Sequence, residues 1–389
     1  MKLLRVVRSM DPSAGGISTG IREMHQPLRN NGFDVKILCF DDTDSPWSND
    51  LNGDLICMGR INNKYGYRIG LLSEIRRIAR RFDVAIVEGI WSYHSFACWR
   101  VFCAIGLPYF VYTHGMLDPW FKRTYPIKHL KKSAYWPWAD YNVLRDAEAV
   151  FFTTEQERLL ARDSFWLYKA KEKVVGYGTS PPPSDVRAQR IAFMERFPHL
   201  RGQRILLFLS RIHPKKGVDL LIEAFAAIAF SDPALQLVIA GPDQVDLQAG
   251  LQQRSAELGI ADRISWPGML SGDLKWGAYR SAELFCLPSH QENFGVVVAE
   301  ALACGLPVAI SEPVNIAADV AQAGAGIVHV DTALGTEEAL RQWLAMTPMA
   351  KVEMAERGRQ LFFERFDFAS VAKNILPLLE EAVLEASRK

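Results

Sequence analysis

The sequence predicts an α/β protein with two parallel sheets, on three observations. Short runs rich in Val, Ile and Phe alternate with amphipathic stretches of about 10 to 15 residues, the pattern of parallel strands joined by crossover helices. This alternation occurs twice in succession along 389 residues, too long for one ordinary core and suited to two domains of about 150 to 200 residues each. Between the two series stands GYGTSPPPSD, residues 176–185, whose consecutive prolines forbid helix and favour an extended connector.

In the first series the strands fall at LLRVVRS, DVKILCF, DLICM, VAIVEG, PYFVYTHG and AVFFTT. The loop SAGGISTG, with Gly15 and Gly16, follows the first strand and opens a helix. It is not G-x-G-x-x-G, so a dinucleotide site is not supported. YTHGMLDPW places His114 at the end of a strand. The stretch WFKRTYPIKHLKKSAYWPW, residues 120–138, interleaves Lys122, Arg123, Lys128, Lys131 and Lys132 with Trp120, Phe121, Tyr125, Trp136 and Trp138. Basic plus aromatic is how peripheral proteins meet anionic lipid, and SEIRRIARRFD adds four arginines in the same domain.

In the second series the strands fall at RILLFLS, LQLVIAG, RISWPG, LFCLPS, PVAIS and GIVHV. After the first comes RIHPKKG and then the helix VDLLIEAFAAIA, so Arg211 and Lys216 project from a loop at a strand's carboxyl end. Open α/β sheets bind ligands at that end, and two cations suit a diphosphate. Lys215 is read as the solvent-facing member of the pair. In LPSHQENFGVVVAEALACGLPVAIS, Glu292 lies in the loop before a helix and Glu300 inside it, roughly 9 Å along the axis. That is too far for two carboxylates sharing a proton or flanking one bond. They are read as holding opposite ends of an elongated ligand, each accepting hydrogen bonds from a diol, with backbone N–H groups of NFGV available to a phosphate. The last segment, FASVAKNILPLLEEAVLEASRK, has helical spacing but contains Pro377, which predicts a kink or a split into two helices.

Composition excludes several classes. Lys plus Arg (45) and Asp plus Glu (44) nearly cancel, so no global field recruits nucleic acid. MKLLRVVRSM is broken by Arg5 and Arg8, and no run approaches the ~18 uncharged apolar residues of a spanning helix, so a cytoplasmic protein is expected. The six cysteines are scattered without a C-x-x-C pair and read as reduced thiols.

SRIHPKKG, IAGPD, WPGML and above all ENFGVVVAEALACGLPV resemble the retaining glycosyltransferases of the type-B fold, family four, whose members share an E-x7-E element. The match covers essentially the whole second domain. It implies two Rossmann-like domains facing a crevice (GT-B): residues 1–178 binding the acceptor and residues 186–368 binding the nucleotide-sugar donor, with 369–389 packing back on the first. It implies that Arg211 and Lys216 grip the donor diphosphate, Glu292 meets the sugar hydroxyls and Glu300 the ribose. The backbone of Asn293, Phe294, Gly295 and Val296 would run along sugar and phosphate, with the base near Gly268 and Met269. In the first domain, Gly15 and Gly16 resemble the family's Gly-Gly loop, and His114 lies in a segment resembling the one near the anomeric carbon. HGML.PW with the downstream TEQE resembles members that build bacterial exopolysaccharide.

The reaction so implied moves a hexose, with retention and without metal or cofactor, to a glycan or lipid-diphosphate-linked acceptor. UDP-glucose is the expected donor and GDP-mannose the alternative. The crevice is expected to close about residues 176–185, and the protein to touch the inner face of the plasma membrane. A UDP-sugar epimerase-type enzyme would need further acid and base residues that cannot be identified. A non-catalytic nucleotide-sugar-binding protein would have no need to keep all four donor residues.

Overall fold

The computed structural model describes residues 1–61 and 63–388. They form two compact units, Met1–Ser180 with Phe368–Lys389, and Pro181–Asp367.

The first unit holds β1 (Lys2–Val7), β2 (Asp34–Cys39), β3 (Leu55–Cys57), β4 (Val84–Glu88), β5 (Tyr109–Tyr112), β6 (Ala149–Phe152) and β7 (Glu172–Val174). They pair in the order β3-β2-β1-β4-β5-β6-β7, all parallel. The central strands are covered on both faces, with Leu3, Leu4, Val6, Val84 and Val87 fully buried, which is why they read as continuous apolar runs. The edge strand β7 escaped the sequence reading because it is short and carries Glu172 and Lys173, the charged character that protects a sheet edge.

The second unit holds β8 (Arg204–Leu209), β9 (Leu235–Ala240), β10 (Ile264–Gly268), β11 (Leu284–Leu287), β12 (Val308–Ser311) and β13 (Gly326–His329), parallel in the order β10-β9-β8-β11-β12-β13. In both sheets the strand order reverses at the centre, between β1 and β4 and between β8 and β11. Successive crossovers leave such a point in opposite directions, so a recess opens outside the carboxyl ends of the central strands.

The C-terminal segment removes one of the two expected outcomes at Pro377, the split. Phe368–Ala386 is a single helix that runs through Pro377 rather than two helices. Interior proline costs about 3 kcal/mol. The helix buries Phe368, Val371, Ile375, Leu376 and Leu379 and packs on the helix Gly16–Asn30. At about 1.5 to 3 kcal/mol for each large apolar side chain, that burial outweighs the lost backbone bond.

Candidate active site

The recess of the second unit is built by the loops after β8 and β11. Gly217 lies in the left-handed region at φ 64°, and a Cβ there would fall 2.0 Å from the carbonyl oxygen of Pro288, so only glycine lets the two loops meet. They are stitched by the Lys215 carbonyl, which accepts from the His290 N–H at 2.9 Å and from Ser289 Oγ at 2.9 Å. Ser311 Oγ, at the end of β12, donates to the Ser289 carbonyl at 2.6 Å.

On this frame Lys216 and Glu292 come together. Lys216 is buried at 5% exposure, and its Nζ is paired with Glu292 Oε2. Burial pushes the Lys216 ammonium down to about 7, and Lys215 and Arg211 push the same way, while the Glu292 carboxylate in contact favours the charged form. Arg211 is exposed, with Nη1 3.2 Å from Gln244 Oε1 in the loop after β9. His213 is lowered by burial and by the charges of Arg211, Lys215 and Lys216, so the loop carries a positive field.

Glu292 is held through its backbone. Its N–H donates to the Pro313 carbonyl at 3.1 Å, and its carbonyl accepts from the Asn315 N–H at 3.0 Å. Asn293 and Phe294 continue to Gly295, at φ 83°, which caps the helix Val296–Ala303. Phe294 is buried, its ring centroid 5.4 Å from that of Phe366. The N–H groups of Val296 and Val297, ahead of the bond from the Val298 N–H to the Gly295 carbonyl, suit an anion.

Glu300 is 7% exposed on the same helix. Its Oε1 accepts from Lys275 Nζ at 2.7 Å and its Oε2 from the Tyr279 hydroxyl at 2.9 Å. A carboxylate has about four acceptor positions, so two remain for a diol. Sequence reading missed Lys275 and Tyr279; their signal is the i, i+4 spacing that sets them on one face of the helix Gly272–Ser281. Gly268, at φ 72°, ends β10 and accepts from the Gly241 N–H at 2.8 Å, while Met269 beside it is exposed.

In the first unit the loop after β1 leads through Gly15, at φ 98°, into the helix that Gly16 opens. His114 follows β5 in the left-handed region at φ 49°. Two buried carboxylates hold it. Glu157 accepts from Thr113 Oγ1 at 2.8 Å and the Gly115 N–H at 2.6 Å, clamping both neighbours of His114, and from the N–H and Oγ1 of Thr153 at 2.7 and 2.6 Å. Glu88 places Oε2 2.7 Å from His114 Nε2, and its Oε1 accepts from Arg5 at 2.8 and 2.5 Å. Burial alone would raise the Glu88 carboxyl, but the Arg5 charge and His114 bring it down to about 2. An ionised Glu88 can only accept, so Nε2 of His114 carries a proton toward it, and Nδ1 is the nitrogen that Glu88 does not engage. The imidazole lies 5.1 Å from the Tyr112 ring at 14°.

Among the described residues no group of three or more His, Cys, Asp or Glu is set to hold a metal ion.

Residues 190–361 match the family described as Glycosyl transferases group 1, and residues 15–178 the Glycosyl transferase 4-like domain. A D-inositol 3-phosphate glycosyltransferase of Geodermatophilus obscurus is 36% identical over 172 residues, 40% of this chain and 38% of that protein. The chain thus spans about two fifths of the length of such curated relatives. Among solved structures, sucrose-phosphate synthase from Thermosynechococcus elongatus superposes with a TM-score of 0.76 at 19% identity, over 99% of both chains. Anabaena HepE in complex with UDP-glucose superposes with a TM-score of 0.76 at 17% identity, over 98% of this chain and 100% of that one. Both likenesses bear on the fold.

Proposed function

The chain belongs to the type-B glycosyltransferases of family four, and on that premise we propose that it moves a hexose from a sugar nucleotide to an acceptor hydroxyl with retention at the anomeric carbon. Unit Pro181–Asp367 holds the donor, and the unit containing His114 holds the acceptor. The observation that carries this reading is the pairing of buried Lys216 with Glu292 at the switch point of the second sheet. A buried cation and a carboxylate that neutralise each other are poised to be separated by a ligand offering a diphosphate to one and sugar hydroxyls to the other.

As the glycosidic bond to the diphosphate breaks, negative charge grows on the phosphate oxygens. Lys216, Arg211 and the N-terminus of the helix Val296–Ala303 stabilise it, the role a metal ion plays elsewhere. Glu292 meets the migrating sugar and Glu300 the ribose. His114, its tautomer set by Glu88, offers Nδ1 to the substrate. UDP-glucose is the donor we favour, and HepE with UDP-glucose bound shares the fold. The acceptor is a glycan, free or on a lipid diphosphate, in polysaccharide synthesis. No helix among the described residues is long and apolar enough to cross a membrane.

The test is a thermal-unfolding panel with UDP-, GDP- and ADP-sugars, followed by donor hydrolysis with and without EDTA. A ligand that binds the folded state raises the melting temperature. UDP-glucose should give the largest rise and be hydrolysed slowly, with EDTA making no difference. A larger rise with GDP-mannose would reassign the donor, and no response to any sugar nucleotide would refute the reading.

A further inference from the structure

Two of the six cysteines stand side by side in the first sheet. Cys39 ends β2 and Cys57 ends β3, and they are partners in the parallel register of these strands. Registered neighbours project to the same face of a sheet, and the two sulphurs lie 3.5 Å apart. Both are free thiols. A disulfide spans Cα separations of about 4.4 to 6.8 Å, and adjacent strands lie about 4.8 Å apart, so the backbone is already within range. Side-chain rotation has about 1.5 Å to close between the sulphurs. Near the short end of that range the bond carries strain, and strained disulfides are the more easily reduced. The pair suits a bond that is made and broken again rather than a permanent staple.

The two thiols are not equivalent. Cys39 is fully buried among Val7, Ile21 and Leu55, whereas Cys57 is half-buried on β3, the last strand of the sheet, which pairs on one side only. Burial raises both thiols, but the hydrogen bond between them favours the thiolate on Cys57 and opposes it on Cys39. An oxidant arriving from solvent therefore meets Cys57 first, with Cys39 behind it to complete the reaction.

We propose that Cys39 and Cys57 form a reversible redox pair, closed to a disulfide by hydrogen peroxide and reopened by an external thiol. The Cys57 sulphur attacks one peroxide oxygen, the O–O bond breaks, and the departing hydroxide takes the Cys57 proton as water. Cys57 is then a sulfenic acid. The Cys39 sulphur attacks it, the S–S bond forms as the S–O bond breaks, and the second hydroxide leaves with the Cys39 proton. Two thiols and one peroxide thus give one disulfide and two waters. Two equivalents of an external thiol reverse the step by exchange, leaving as their own disulfide. The closed bond ties the edge strand β3 to β2. The Met58 N–H already donates to the Cys39 carbonyl at 2.9 Å and the Gly59 N–H to the Asp41 carbonyl at 2.9 Å, so the loops leaving both strands are held with it.

Peptide mapping of the full chain tests the proposal. No Lys or Arg lies between Lys36 and Arg60, so trypsin leaves both cysteines in one fragment, residues 37–60. The protein is treated with hydrogen peroxide, quenched in acid, unfolded, alkylated with iodoacetamide and digested without reductant. The fragment should weigh two hydrogens less than its reduced form and carry no alkyl group. Dithiothreitol before alkylation should restore both sites. Further cleavage at the aspartates between the cysteines should yield two peptides joined through sulphur. Cys39→Ser should leave Cys57 as a sulfenic acid trapped by dimedone, severalfold above the wild type, where Cys39 consumes it. The wild-type map needs no variant, so it decides the matter even if Cys39→Ser is unstable. Alkylation of both thiols after peroxide, a bond from Cys57 to any other cysteine, or oxidation of Cys57 to the sulfinic acid without a bond to Cys39 would each overturn the proposal.

Discussion

A buried ammonium with two cations nearby is costly to keep charged, and a bound diphosphate reverses that balance. Lys216 is lowered by burial to about 7. A diphosphate favours the charged form, so its pKa rises in the complex and binding takes up a proton. Affinity for UDP should therefore fall as pH rises above 7, by up to about tenfold per pH unit between pH 7 and 9. Lys216→Arg, charged throughout, should flatten that slope in calorimetric titrations. A second prediction concerns Glu157, which accepts four hydrogen bonds while 3% exposed. Glu157→Ala should cost about 3 kcal/mol or more in urea unfolding, since several buried donors lose their acceptor at about 1 to 3 kcal/mol each. Arg211, Lys216 and Glu292 could be read from the sequence because each stands in a polar loop directly after a strand. Arg5 and Glu88 could not be paired from it, being 83 positions apart and joined only by the β1–β4 adjacency. Their signal was a lone charge inside each apolar strand, which burial obliges to find a partner.

Among elements, the helices Trp120–Thr124 and Pro126–Tyr135 carry the basic and aromatic stretch for which lipid contact is expected from the sequence. The structure sorts the residues of this stretch. Trp136 is fully buried and Lys132 Nζ sits 4.2 Å from the Trp91 ring centroid, so neither belongs to the exposed face. Tyr125, Ile127, Leu130 and Trp138 are exposed beside Lys122, Arg123, Lys128 and Lys131. Apolar side chains ringed by lysine match a negatively charged bilayer surface. Flotation at low salt should recover the protein with anionic vesicles, and Ile127→Ser with Leu130→Ser should lower recovery severalfold; equal recovery with neutral vesicles would count against lipid contact. Strands buried on both faces were plain in the sequence because their apolar runs end at turn residues. The short charged edge strand β7 and the unbroken helix through Pro377 were hidden, because pairing and packing decide them and local propensity does not.

Across the whole molecule, the same doubly wound sheet occurs twice, and its two compact units divide between Ser180 and Pro181, inside the proline-rich stretch. The repeated class was legible because alternation of strand and helix needs only local pattern. Strand order was not, and it is strand order that sets Lys216 beside Glu292 and creates a recess in each sheet. The central claim is that the second recess holds a nucleoside diphosphate sugar with the sugar at Glu292 and the ribose at Glu300. Titration of UDP into the wild type, Glu292→Gln and Glu300→Gln, with donor turnover measured on the same samples, tests it most directly. Glu300→Gln should weaken UDP by about 1 to 3 kcal/mol, the loss of a charged hydrogen-bond acceptor. Glu292→Gln should bind UDP nearly as well as wild type yet lose turnover, because its contact matters as the sugar leaves. Equal loss of UDP affinity in both variants, or no change in either, would contradict this division of roles.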